Sequence, residues 1–483
     1  MMKPIKHTIM KNLLFAGMAV ITLTLASCSN NDSPQQDDNT CSDGIQNNGE
    51  TGIDCGGPNC LPCQVAATCN DGIQNGDETG VDCGGSSCPA CETSGIVEIT
   101  SSITSDATWT ADNIYELQGR IYVTDGATLT IEPGTIIKAF AGSGANASTL
   151  IVARGGKMNA VGTASKPIIF TSVADNIELG QTAGTNLSEN DRGLWGGLLI
   201  LGKAPVSVDG DGVETQIEGI PASDTNGLYG GTVADDNSGT YQYISIRHGG
   251  AVIGEGNEIN GLTLGGVGSG TTIDHIEVVG NVDDGVEFFG GTVNLSSFLA
   301  WAGGDDGLDI DQAYAGTISN SVVIEGEISD HATEIDGGEG SMTAAFTMTD
   351  VTFFGLDNNA ADGEVADLRD GAMGTLNNIL VVGFTGIGPD LSLSDVELDN
   401  ADTRVADNYT NGSLVFSNWQ VVLPTGISTS AEIFDDTTDT STFEADAASF
   451  SSAVPDLASA TVGADLNEFE WTYAFAKGAF EGY

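Results

Sequence analysis

Three short strings carry the densest chemistry in the chain: Asp283-Asp-Gly-Val-Glu-Phe-Phe, Asp305-Asp-Gly-Leu-Asp-Ile-Asp and Asp330-His-Ala-Thr-Glu-Ile-Asp. They recur at offsets of 22 and 25 residues. Superposed, they give four columns: Asp283, Asp305 and Asp330; Asp284, Asp306 and His331; Glu287, Asp309 and Glu334; Asp311 and Asp336. A later string, Asp367-Leu-Arg-Asp, extends the pattern and brings Arg369 beside Asp336. Carboxylates stacked about 5 Å apart repel by about 1 kcal/mol per pair in water, so something must offset the column. One answer is calcium, a hard cation that takes several carboxylate oxygens at once, with Asp305, Asp309, Asp311, Glu334 and Asp336 as ligands. A second is cleavage of a glycosidic bond by a carboxylate pair, since retaining glycosidases hold their two carboxyls about 5–5.5 Å apart. Its candidates are Asp305, Asp306, Asp309 and Glu334, with Arg247 as a basic helper. The third is architectural: Asp-Asp-Gly turns a corner and the remaining acids form a solvated face.

Other reactive constellations are sparse. Arg247-His248-Gly-Gly follows a strand-like run, which suits a corner or a side-chain ladder as well as a basic catalytic group. His275 and His331 are the other nearby titratable bases. There is no Gly-x-Ser-x-Gly elbow for a serine nucleophile. GLTLGGVGSG has phosphate-loop-like glycines but lacks the Lys-Ser/Thr that would follow them.

The cysteines are organised. CSDGIQNNGETGIDCGGPNCLPC at 41–63 and CNDGIQNGDETGVDCGGSSCPAC at 69–91 repeat at an offset of 28. Cys41, Cys55, Cys60 and Cys63 thus match Cys69, Cys83, Cys88 and Cys91. Four cysteines per small module predict disulfides, with three connectivities open for each set. Cys60-x-x-Cys63 and Cys88-x-x-Cys91 leave a four-thiolate zinc site as the competitor. Asp43, Asn47, Glu50 and Asp54, and their counterparts Asp71, Asn75, Glu78 and Asp82, read either as spaced oxygen ligands or as turn residues. The ninth cysteine, Cys28, ends Leu25-Ala-Ser-Cys. Lys3, Lys6 and Lys11 precede an apolar run, and residues 1–27 contain no acid. That pattern predicts an export signal, and Leu-Ala-Ser-Cys resembles a bacterial lipobox, which implies lipidation of Cys28. A polar tether at 28–40 follows.

These groups must be positioned by short strands. Gly119-Arg-Ile-Tyr-Val, Ala127-Thr-Leu-Thr-Ile, Thr149-Leu-Ile-Val-Ala and Lys166-Pro-Ile-Ile-Phe are β-branched runs bounded by Gly, Asp or Pro. Gly261-Leu-Thr-Leu, Gly285-Val-Glu-Phe and Gly307-Leu-Asp-Ile recur at offsets of 24 and 22. Gly270-Thr-Thr-Ile, Gly291-Thr-Val-Asn and Gly316-Thr-Ile-Ser form a second series, and His275-Ile-Glu-Val-Val-Gly, Phe298-Leu-Ala-Trp-Ala-Gly and Ser321-Val-Val-Ile-Glu-Gly a third. Three short strands per coil, repeated one coil later, predict an all-β, right-handed parallel β-helix over 97–390. Alternation turns Val286, Phe288, Leu308, Ile310 and Ile335 inward and the third and fourth acid columns outward. Residues 391–483 are expected to be loops and a C-terminal cap.

Composition sets the limits. The 483 residues include 68 Asp+Glu against 14 Lys+Arg, a net charge of −54, and 66 Gly. Such a chain repels nucleic acid and anionic lipid and favours cations or neutral polymers.

The strings ATLTIEPGTIIK, RGGKMNAVGT, KPIIFTS, RGLWGGLLILG, IRHGG, NEINGLTLGGVGSGTTI, DDGVEFFGGTVN and a closing WTYAFAKGAFEG resemble pectin-lyase-like β-helix surface lipoproteins of Bacteroidota-type bacteria. The resemblance implies the β-helix and an outer-membrane, cell-surface location, and brings no settled activity. Gly-Asp-Asp at 304–306 resembles part of the polygalacturonase signature, whose Gly-His-Gly and Arg-x-Lys parts are absent. The expected function is a lipid-anchored protein binding an extracellular polysaccharide with calcium. A polysaccharide lyase or glycoside hydrolase and a structural or adhesive surface protein are the alternatives.

Overall fold

A computed structural model describes residues 40–42, 44–46, 49–56, 58, 60, 61, 63, 69, 75, 76 and 83–89, and then 95–252, 259–356, 364–384, 396–398, 403–423, 427–436 and 440–483. The chain divides into two compact units, Met1–Glu92 and Thr93–Tyr483. Cys28 and the segment 1–27 lie outside the described residues, as does Cys91.

In the first unit, disulfides join Cys41 to Cys60, Cys55 to Cys63, and Cys69 to Cys88. Cys83 is disulfide-bonded as well. The pairings split both cysteines of Cys60-x-x-Cys63 between different partners, so no thiolates remain there for zinc. The Asp54 carboxylate accepts the Gly44 backbone N–H at 2.9 and 3.0 Å, so it closes a turn. Asp43, Asn47, Asp71, Glu78 and Asp82 lie outside the described residues.

The second unit is a parallel β-helix built on two sheets. One has ten strands and runs from Arg120–Val123 through Thr149–Val152, Leu198–Leu201, Leu262–Gly265, Val286–Phe289, Leu308–Asp311, His331–Asp336 and Glu364–Arg369 to Val396–Leu398 and Phe434–Asp436. The other has sixteen strands, including Gly239–Arg247, Thr272–Val279, Asn294–Trp301, Thr317–Ile324, Phe346–Phe354 and Gly374–Val382. Every pair in these two sheets is parallel, and the registers follow the sequence offsets: Leu262 faces Val286, which faces Leu308. Phe288, Ile310, Ile335, Leu368 and Leu398 stack coil on coil inside. Each such side chain contributes about 1.5–3 kcal/mol by leaving water, and only the neighbouring coils supply its cover.

The three strand series of the sequence become two sheets for a local reason. Thr272–Val279 is one strand that bends at His275 (φ 53°). Tyr243, Ser297, Asn320, Asp350 and Asn378 bend the neighbouring long strands in the same left-handed region. Asn, Asp and Ser at these bends bond to one another along the axis. Asn320 Nδ2 donates to Ser297 Oγ at 3.1 Å and Asn378 Nδ2 to Asp350 Oδ1 at 2.9 Å. The side-chain bonds offset the cost of a left-handed non-glycine residue.

The glycine that opens each repeat of the first series has a packing role. A Cβ on Gly285 would lie 2.5 Å from Gly307 O and 2.7 Å from Ala300 Cβ. On Gly307 it would lie 2.3 Å from Val323 Cγ1. The two sheets approach too closely there for any side chain. Gly285→Ala is therefore expected to cost about 1–3 kcal/mol, the usual penalty of overpacking, as measured by chemical denaturation.

The expectation for residues 391–483 needs correction. Val396–Leu398, Leu414–Ser417, Trp419–Val422, Phe434–Asp436 and Ser451–Val454 add further rungs in parallel register to both sheets. The Asp/Ser/Thr-rich composition there marks the connections between rungs. Residues 463–483 form a strap back over the outer face of the sixteen-stranded sheet. Gly463 N–H donates to Asn378 O, Asp465 N–H to Asn320 Oδ1, and the Tyr473 hydroxyl to Leu187 O. Phe469, Ala474 and Phe480 pack on Leu299, Ile324, Phe354 and Leu380.

Candidate functional site: the acid columns

The acid columns stand on Val286–Phe289, Leu308–Asp311, His331–Asp336 and the corners before them. Glu287 pairs with Asp309, Asp309 with Glu334 and Glu334 with Asp367, one per coil. They are not a solvated face. Glu287 is 6% exposed, Asp284 5% and Glu334 9%. The cover comes from the segment after Leu198–Leu201. Val206, Val208, Ile217, Ile220 and Tyr229 build an apolar cluster on the outer side of the ten-stranded sheet. Tyr229 lies against Phe289, with ring centroids 5.8 Å apart. Its hydroxyl donates to Gln312 at 3.0 Å, and Gln312 Nε2 donates to Glu339 at 2.9 Å.

The second column is a corner ladder. Asp284 N–H donates to Asn260 Oδ1 (3.3 Å), Asp306 N–H to Asp284 Oδ1 (3.0 Å) and His331 N–H to Asp306 Oδ1 (2.9 Å). His331 Nδ1 also meets Asp306 Oδ1 at 2.8 Å. Burial works against a charge on His331, but the bond to Asp306 and the surrounding acids outweigh it and raise its pKa to about 9. His331 and Asp306 therefore neutralise each other.

The far end of the third and fourth columns is neutralised too. Arg369 Nη2 bonds Glu334, its Nε bonds Asp336 at 3.1 Å, and its Nη1 lies 3.7 Å from Asp367. Asp311 and Asp336 follow paired positions on adjacent rungs. Burial and Asp311 push Asp336 up to about 8, whereas Asp311 is pushed by burial to about 6.

Among the described residues, no basic group pairs with Asp284, Glu287 or Asp309. Burial first, and the charge of neighbouring acids second (Asp283 beside Asp284, Asp311 beside Glu287, Asp284 beside Asp309), raise all three well above the usual carboxylate range. Glu287, Asp309 and Asp311 each bring an oxygen within 4.8 Å of the others, and so do Asp284, Asp306 and Asp309. Asp309 Oδ1 is buried and has no hydrogen-bond partner. Only oxygen donors converge there, which is the donor set of calcium rather than of zinc or copper.

The structure thus regroups the ligands read from the sequence. Asp309 and Asp311 stay together and are joined by Glu287, while Asp309 also groups with Asp284 and Asp306. Glu334 and Asp336 are held by Arg369. Asp305 groups instead with Asp283 and Asp284. Glu287 was legible, since an offset of 22 aligns it with Asp309; the position of Arg369 decided which acids have a basic partner.

Arg247 is not part of this site. It ends Gly239–Arg247 on the other sheet and is 2% exposed. Its Nε donates to Ser245 Oγ at 2.7 Å, its Nη1 to Thr182 O at 2.8 Å, and its guanidinium lies 4.4 Å from the Tyr473 ring centre. Buried under the strap, it has no access to a polymer. His248 is buried beside it and bonds Asp191 O at 2.7 Å.

A solenoid of stacked parallel coils is the architecture of β-helix proteins. A family model for the pectate-lyase-like β-helix domain matches residues 101–475, and the chain belongs to that family. No curated protein and no solved structure matches it.

The raised pKa values fix a direction for pH. A carboxyl whose folded pKa exceeds its unfolded value stabilises the fold below the unfolded pKa and loses that contribution as pH rises through the folded one. Asp305 and Asp311 (3.8 to about 6) and Asp336 (3.8 to about 8) fall in this class. His331 (6.5 to about 9) acts in the same direction between those values. In chelator, melting temperature is expected to fall steadily from about pH 4 to about pH 9. A rise over that range would contradict these assignments.

Proposed function

We propose that this chain is a lipid-anchored, outer-membrane surface protein that binds an extracellular polysaccharide with the help of calcium. The observation that carries the reading is the two carboxylate triads that share Asp309, namely Glu287, Asp309 and Asp311 and then Asp284, Asp306 and Asp309, whose oxygens converge on a coil face partly closed off from water. Such a group is unfavourable as bare carboxylates and favourable around a divalent cation. Membership of a pectate-lyase-like family supports a polysaccharide-related role at the cell surface. Calcium with part of its coordination shell open would take hydroxyl or carboxylate oxygens of a glycan. The chain's own carboxylates fix the ion, and the coil stack repeats donors along the axis at about 4.8 Å.

The anchor is Cys28. A fatty-acid probe is expected to label the wild-type protein and not Cys28→Ala; equal labelling of both would remove the anchor from the account.

A second reading, cleavage of the polymer, rests on Asp305. Burial and Asp306 push its carboxyl up to about 6, which suits a general acid near neutral pH. Incubation with a polysaccharide panel, with calcium and with chelator, separates the readings. Calcium-dependent retention without new reducing ends or unsaturated products supports binding. Products that vanish in Asp305→Asn support cleavage. Neither retention nor products would leave a structural or adhesive role.

A further inference from the structure

A second site lies on the other sheet, away from the acid columns. A cavity of about 550 Å3 is bounded by the coil turns after Asn294–Trp301, Thr317–Ile324 and Phe346–Phe354, by the loop at Glu189, and by the end of the strap. That volume is within the range of about 300–1,000 Å3 typical of small-molecule sites. Its walls are largely apolar: Trp301, Ala302, Ile324, Leu356, Ala479 and Tyr483. Among the described residues its charged lining is acid: Glu189, Glu325, Glu327 and Glu481. Arg192 interacts with Glu189 and Glu327 from beside the cavity and does not line it. The charged side chains on its described walls are thus carboxylates, in a molecule whose net charge is −54.

Rings and carboxylates together select a ligand class. Trp301 and Tyr483 offer flat apolar surface to a ring-shaped body. Carboxylates accept hydrogen bonds from hydroxyl and ammonium groups and repel other carboxylates. An ammonium beside an aromatic face gains further attraction. We propose that this cavity binds an amino sugar with a free ammonium group, its ring against Trp301 and Tyr483 and its nitrogen between Glu327 and Glu481. The site needs no calcium and is independent of the acid columns. The strap supplies one wall, through Ala479, Glu481 and Tyr483; it is held there by the Tyr483 hydroxyl, which donates to Gly355 O at 2.9 Å, and by Phe480, which packs edge-on to Phe354. Release of the strap therefore opens the cavity and abolishes the site.

The test is calorimetric titration of the full-length protein in chelator at mildly acidic pH. The titrants are the β-1,4-linked glucosamine disaccharide, its di-N-acetyl derivative, a galacturonate disaccharide and 1,4-diaminobutane. The free-amine sugar is expected to bind, and each of the other three at least about tenfold more weakly. Glu327 and Glu481 are exposed, so Glu327→Gln with Glu481→Gln should leave the melting temperature unchanged and weaken the amine sugar at least about tenfold. Trp301→Leu should weaken both sugars. Equal affinity for the acetylated sugar, the diamine or the uronate would overturn the proposal. Full affinity in the double glutamine variant, or no binding of the amine sugar, would do the same. None of these results bears on calcium at the other face, which the chelator has removed.

Discussion

Glu277→Ala is expected to cost about 3–5 kcal/mol of stability, the range seen when one member of a buried charged network is removed. Glu277 is 0% exposed. It accepts hydrogen bonds from Ser245 Oγ at 2.5 Å, from Tyr473 N–H at 3.1 Å and from Ala474 N–H at 2.7 Å. Ser245 Oγ in turn accepts from Arg247 Nε. Alanine leaves two strap amides without acceptors and deprives a fully buried guanidinium of the charge that faces it. Each orphaned amide costs about 1–3 kcal/mol. The loss falls first on the strap, whose docking depends on these bonds and on Phe469 and Ala474. Trypsin is therefore expected to cut after Lys477 faster in the variant, and chemical denaturation to show the reduced free energy. A change below about 1 kcal/mol, with unaltered cleavage, would show that the network does not hold the strap.

Glu277 also illustrates where the sequence stops being informative. His275-Ile-Glu-Val-Val-Gly marks a strand plainly, and an acid at that position reads as one more outward carboxylate. Its partners lie 196 and 197 residues further on, and no local pattern announces them. Coil offsets are different in kind. A parallel β-helix pairs each residue with one about 22–25 positions away, so the 22-residue step from Glu287 to Asp309 and the 25-residue step to Glu334 translate directly into register. The contact between Arg369 and Asp336 was legible for the same reason. The face's exposure was not. Its cover is an irregular excursion that docks through Tyr229 and Val206 and has no counterpart among the described residues of the other coils. The rungs beyond residue 390 were hidden by long polar connections, which dilute the strand signal although Phe416, Trp419, Phe434 and Phe443 still build a core there.

The central claim is that Glu287, Asp309 and Asp311, with Asp284, form a calcium site. A cation that binds only the folded chain stabilises it by RT ln(1 + [L]/Kd), about 2.7 kcal/mol at one hundred times Kd. Neutralising Asp309→Asn together with Glu287→Gln removes both the ligands and their mutual repulsion. Glutamine still offers an acceptor to Asn260 Nδ2, which bonds Glu287. Denaturation of the wild type and this double variant at pH 7.5, in calcium, in chelator and in sodium at matched ionic strength, decides the question most directly. The expected result is a calcium increment of about 2–3 kcal/mol in the wild type that sodium does not reproduce. The double variant should lack it and be more stable than the wild type in chelator. A wild-type increment matched by sodium, or one kept in full by the double variant, would contradict a calcium site at this face.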